Sequence, residues 1–102
     1  MEHLYKIGVN RNNSRIWLEG SKLLKSGFIN KTPIYRHFYS WDCLVISKEQ
    51  HSEAIRHTVA GTSTRPVIDF NGKWVTTFCN PFTHYRATFN QTEIILQFIK
   101  EQ

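Results

Sequence analysis

Cysteine, proline, methionine and acidic side chains are all scarce in this chain, and each scarcity narrows what it can be. Two cysteines in 102 residues exclude the disulfide-dense scaffolds of small secreted domains. Cys43 and Cys79 also lack metal-ligand spacing and sit in apolar surroundings, so they read as buried free thiols. No run approaches the ~18 consecutive apolar residues of a membrane span. The opening MEHLYKIG carries an acid and lacks the apolar core of a secretion signal. A cytoplasmic location, away from membranes, is the expectation. At this length the chain is one domain, 1–102, or two very small halves sharing a core.

Acids are outnumbered, eight against thirteen Lys and Arg, giving a net charge of +5. The excess lies in the first half: residues 1–50 hold eight bases and four acids, residues 51–102 five and four. Between Arg11 and Arg36 the bases Arg11, Arg15, Lys22, Lys25, Lys31 and Arg36 face a single acid, Glu19. An anionic partner, nucleic acid foremost, follows from that balance.

Shifting the sequence by 50 places superposes its halves, 1–50 and 51–102, without a gap. Val9 then falls on Val59, Arg15 on Arg65, Phe28 on Phe78, Asn30 on Asn80 and Tyr35-Arg36 on Tyr85-Arg86. Leu44-Val45-Ile46 falls on Ile94-Ile95-Leu96. Each half reads as strand, short helix, strand, strand. RIWLE and RPVIDF are the first strands. Ser21 is expected to cap SKLLKSGF, with Gly27 ending the helix in a left-handed turn, and Asn71 to cap GKWVTTF. Alternation in the next strands places Tyr35, His37, Tyr39, Tyr85, Ala87 and Phe89 inward, which sends Arg36 and Arg86 to solvent or ligand. CLVIS and EIILQFI close each half, with Leu44, Ile46, Ile94 and Leu96 inward. Residues 48–65 read as a polar connector. A unit of about fifty residues buries too little surface to stand alone, so the pattern predicts a mainly β fold with short helices. In it, two β-α-β-β repeats form an intrachain pseudo-dimer, as a monomer or within a homodimer.

The run L-x-x-S-G-F-x-x-K-T-P-I, ending at Ile34 and followed by Cys43-Leu44-Val45-Ile46, resembles the AbrB/SpoVT/MazE swapped-hairpin family, in its SymE-like branch. The likeness covers residues 15–46 well and 65–98 more loosely. It implies a swapped-hairpin barrel, dimeric in most members, that binds DNA through bases near the first strand and helix. Carried over by position, these are Arg11, Arg15, Lys22 and Lys25, with Arg65 and Lys73 in the second half. Two departures stand out. Asn30-Lys31-Thr32 and Asn80-Pro81-Phe82 replace the family's Pro-Gly-Asp turn, and no toxin-neutralising tail follows the last strand, which disfavours an antitoxin.

Catalytic and metal patterns are sparse. Cys79 with His84, and His51 with His57, form no four-ligand set, and no cofactor is expected. No nucleophile elbow, phosphate loop or His-Glu-x-x-His run occurs. Glu19 and Asp69 fall at matching positions but each follows an arginine by four residues, as strand-end acids do. His37, His51, His57 and His84 offer groups that titrate near neutrality. Trp17 and Trp41 offer faces for base stacking; Trp17 fits a core role better, and Trp41, in the turn Ser40-Trp41-Asp42, an exposed one.

These readings combine into a small non-enzymatic nucleic-acid-binding protein, DNA before RNA. Its contact residues are Arg11, Arg15, Lys22, Lys25, Arg36, Arg65, Lys73 and Arg86. Two alternatives belong to other classes: a phage-type inhibitor occupying a site on a larger nucleic-acid-handling complex, and a SymE-like toxin acting on RNA or the nucleoid.

Overall fold

The structure is a computed structural model and describes residues 2–50 and 52–100. Among these the fold is mainly β, with strands β1 (Glu2–Lys6), β2 (Gly8–Asn10), β3 (Asn13–Glu19), β4 (Pro33–Ser40), β5 (Cys43–Ser47), β6 (Ile55–Thr58), β7 (Ala60–Gly61), β8 (Pro66–Asn71), β9 (His84–Phe89) and β10 (Glu93–Ile99). Helices α1 (Ser21–Lys25) and α2 (Lys73–Cys79) are short and separate β3 from β4 and β8 from β9. Neither is long and apolar enough to cross a membrane.

The strands form two antiparallel sheets, one of six in the order β1-β9-β10-β5-β4-β6 and one of four in the order β2-β3-β8-β7. The expected barrel does not close. Ile7 lies between β1 and β2, and Val59 between β6 and β7, so each strand pair bends from one sheet into the other. The bends join the layers at corners and leave both sheets open-edged. The main-chain N–H of Ile7 bonds the Thr83 carbonyl at 3.0 Å, and that of Val59 the Thr32 carbonyl at 2.9 Å. Of the stretch read as a connector, residues 55–58 and 60–61 are therefore edge strands. Their brevity, four residues and two, hides them from any period-2 test.

One core fills the space between the layers. Leu44, Ile46, Ile94 and Leu96 are fully buried, as their alternation requires, and pack with Ile16, Leu18, Ile68 and Phe70 from the smaller sheet. The Gly27 stop also forms as the sequence suggests. Gly27 has φ 79°, the Phe28 N–H bonds the Leu23 carbonyl at 2.8 Å, and the Gly27 N–H bonds that of Leu24 at 3.0 Å. This is a Schellman ending, and it drops Phe28 wholly into the core.

Four local expectations need correction. The helix N-caps are Gly20 (φ 86°) and Gly72 (φ 109°), not Ser21 and Asn71, and neither helix has a side-chain cap. A positive φ lets the chain leave the strand sharply, a turn that favours glycine over a capping side chain. In β4 the inward face is Ile34 and Arg36, both buried, while Tyr39 is 78% exposed. Residues fifty apart also differ in burial: Val59 is buried and Val9 is 75% exposed, and Phe28 is buried where Phe78 is half-buried. Finally, Trp17 is 38% exposed and not in the core.

Candidate nucleic-acid interface

The eight expected contact residues do not share one surface. Arg11 and Asn12 make the two-residue turn between β2 and β3, with φ of 51° and 70°. That is the type I′ arrangement tight hairpins favour, and it leaves Arg11 exposed at the tip.

Arg15 is committed to an acid. Its Nε and Nη2 donate to the two carboxylate oxygens of Asp69 at 2.9 and 3.0 Å, and its guanidinium lies 4.2 Å from the centre of the Trp17 ring. The hydrogen bond from Arg15 holds the Asp69 carboxyl below its ordinary range, with a smaller push from Asn71. The same bond raises the Arg15 guanidinium. Arg65 lies 3.9 Å from Glu19, and Arg86 3.7 Å from Glu2; both pairs are exposed and contribute little. Glu19 and Asp69 are thus each paired with an arginine of the other half rather than with the one four residues earlier. They do not act as a carboxylate pair.

Arg36 leaves the interface altogether. It is 8% exposed, donates from Nε to His57 Nε2 at 2.7 Å and lies 3.6 Å from the centre of the Trp74 ring. Burial lowers its pKa, and burial followed by the Arg36 charge lowers that of His57. His57 therefore accepts this bond as the neutral ring. Alternation misassigned Arg36 because β4 carries large side chains on both faces: Ile34 and Phe38 on one, Tyr35 and Tyr39 on the other.

Lys22 and Lys25 lie on α1. Lys22 Nζ donates to Tyr5 Oη at 3.2 Å, and Lys25 is exposed. Lys48 joins them, a residue that no motif marked. Its Nζ donates to the Ser26 carbonyl at 2.8 Å and sits 4.6 Å from the centre of the Phe28 ring. Two grooves flank the helix. One, of about 300 Å³, is lined by Leu24, Lys25, Ser26, Gly27, Lys48 and Gln91. The other, of about 260 Å³, is lined by His3, Ser21, Lys22, Lys25, Ser26 and Phe89. No Asp or Glu among the described residues lines either groove. Lys73, at the start of α2, lies instead at an apolar groove with Arg36 and Trp74.

Among the described residues, no three His, Cys, Asp or Glu side chains gather closely enough to hold a metal ion. Cys43 and Cys79 are both buried and free, and burial pushes the Cys79 thiol up to about 12. His51 lies outside the described residues. His84 Nδ1 is 2.8 Å from Thr83 Oγ1. Trp41 is 75% exposed and stacks on Phe82 with ring centres 5.5 Å apart. The chain matches no protein-family model, no curated protein and no solved structure.

Proposed function

We propose that this chain is a small non-enzymatic nucleic-acid-binding protein, with duplex DNA as its first target. The observation that carries the reading is the acid-free pair of grooves flanking α1, one lined by Lys25 and Lys48 and the other by Lys22 and Lys25. Phosphate oxygens are the ligands such lysines suit, as mobile point charges that fix position rather than sequence. Arg11, exposed on its turn, is the best remaining candidate to enter a groove. Two of these lysines, Lys22 and Lys25, lie on the helix of the part that resembles the swapped-hairpin family.

An internal two-fold belongs to the same proposal. Support comes from the strand registers. Lys6 opposite His84 and Thr58 opposite Pro33 correspond when β1 is matched to β6 at a spacing of 52 and β4 to β9 at 51. Gly8–Arg15 and Ala60–Val67 correspond at 52, and Arg36–Ile46 and Ala87–Leu96 at 51 and 50. The axis would then pass between Trp17 and Asp69, and between Val45 and Ile95, which are directly paired. Two β-α-β-β units with exchanged edge strands account for all of these at once.

The test is a fluorescence-anisotropy titration of labelled duplex DNA, and separately of RNA, at several salt concentrations. Affinity should fall with a log–log slope of about −0.9 per phosphate neutralised. Lys22→Gln with Lys25→Gln should flatten that slope by about 2, whereas Arg15→Gln, whose charge Asp69 already holds, should flatten it by less than about 1. Absence of salt-dependent binding to either polymer would overturn the reading, and cleavage of the RNA would favour the toxin. A second reading, an inhibitor seated on a larger protein, draws on Tyr39, Trp41 and Ile55, which are 78%, 75% and 53% exposed.

A further inference from the structure

The groove beside Arg36 shares no residue with the two that flank α1. It has a volume of about 630 Å³ and is lined chiefly by Arg36, Phe38, Ile55, Lys73, Trp74 and Phe78. Its walls are apolar and partly open: Phe38 is 48% exposed and Ile55 53%. Phe38 packs at 4.6 Å between ring centres on Phe78 and at 6.3 Å on Trp74, so the wall is a continuous aromatic surface.

Arg36 is the anomaly in it. The residue is 8% exposed, yet the one side-chain hydrogen bond it makes among the described residues goes from Nε to His57. His57 is neutral, and no Asp or Glu among the described residues pairs with the guanidinium. Trp74 covers one face of the charge and His57 takes Nε, so the two Nη groups are the donors left to a ligand in the groove that Arg36 lines. A buried guanidinium without a counter-charge is costly unless an anion meets it. Lys73, at the rim, adds a second positive charge to the same space.

We propose that this groove binds a small carboxylate carried on an apolar body, such as an arylalkanoate or a short fatty acid. The carboxylate oxygens accept from the Arg36 Nη groups in the planar fork that guanidinium and carboxylate share, with Lys73 closing over them. The apolar body lies against Phe38, Ile55 and Phe78. The volume falls in the range that holds one small molecule. Charge complementarity selects this occupant over a second copy of the chain: two copies would bring two uncompensated arginines to one contact.

Three indole N–H signals, from Trp17, Trp41 and Trp74, make the site readable by NMR. The full-length protein is titrated with 4-phenylbutyrate, with its neutral amide and with inorganic phosphate. The carboxylate should shift the Trp74 signal saturably, and the amide should bind at least about tenfold more weakly, since it offers no charge to Arg36. Phosphate, lacking an apolar body, should leave Trp74 unmoved. Arg36→Met keeps the packing and removes the charge, and should abolish the preference for carboxylate over amide. Lys22→Gln with Lys25→Gln should bind phenylbutyrate as the wild type does. Equal affinity for acid and amide would overturn the proposal. So would a phosphate-induced shift of Trp74 at similar concentration, or no shift with any of the three. The acid–amide comparison on the unaltered protein decides the matter even if Arg36→Met fails to fold.

Discussion

Burial decides what the individual charges of this chain can do. Arg15 and Arg36 look alike in the sequence, each in a β-rich run, yet one is tied to Asp69 on the surface and the other is stacked on Trp74 inside. The Arg36–His57 bond needs an unprotonated acceptor, so it adds a pH dependence. His57 has a folded-state pKa below its ordinary value near 6.5, from burial first and the Arg36 charge second. Between that lowered value and 6.5 the unfolded chain binds the proton and the folded chain does not, so stability rises with pH across this window. Its contribution is complete above 6.5 and is lost as pH falls toward the folded-state value. Urea melts at pH 5 and pH 7.5 should therefore show the wild type weaker at pH 5. His57→Gln, which keeps an acceptor but cannot titrate, should have a smaller difference between the two. An unchanged difference would mean that His57 is not the group responsible.

At the scale of elements, four turns depend on glycines with positive φ, but for different reasons. Gly20 and Gly72 face open space, so a methyl group there meets only the conformational penalty, about 1–3 kcal/mol for a backbone region that glycine alone occupies readily. At Gly27 the added methyl would also come within 2.6 Å of Lys48 Nζ, a flexible tip that can move at the expense of its bond to Ser26. At Gly61 it would lie 2.2 Å from the Arg65 carbonyl, which is backbone and cannot give way without disturbing the β7–β8 pairing. Alanine should thus destabilise most at Gly61, measured by urea denaturation against the same change at Gly20, Gly27 and Gly72; a mild Gly61→Ala would contradict the turn geometry. Gly27 was legible in the sequence because a helix stop is local, as were the buried strands CLVIS and EIILQFI. The edge strands β6 and β7 were not, since only pairing with β4 and β8 makes strands of them. The gapless spacing of 50 misled for a related reason. Burial along β9 runs one residue out of step with it, with Ile34 and Arg36 inward in β4 but Tyr85 and Ala87 in β9. An irregularity between Phe38 and Ser40 brings β5 back into step. Lys48 has no sequence signature, because its place over Phe28 is set by tertiary packing alone.

For the whole molecule, the pairing pattern makes the halves mutually dependent. Strand β3 pairs with β8 and β5 with β10, so the middle of each sheet joins residues from opposite halves. The edges are exchanged as well, β1 lying on β9 and β6 on β4. Residues 1–50 alone would expose Leu44, Ile46, Ile16 and Leu18, all fully or almost fully buried in the intact chain, and would retain only the β2–β3 and β4–β5 ladders. Two-stranded ladders of this kind are marginal in water. Each half made separately should therefore show no cooperative thermal transition at dilute concentration. Mixed in equal amounts they should recover one, because the missing connection adds only a loop-closure term to a set of contacts that is otherwise complete. The recovered midpoint should rise with total concentration, as binding-linked folding requires. Circular dichroism of the two fragments, alone and mixed, checks this directly. A cooperative melt from residues 1–50 alone, independent of concentration, would show instead that the first half carries its own core and that the exchange of edge strands is not what holds the fold together.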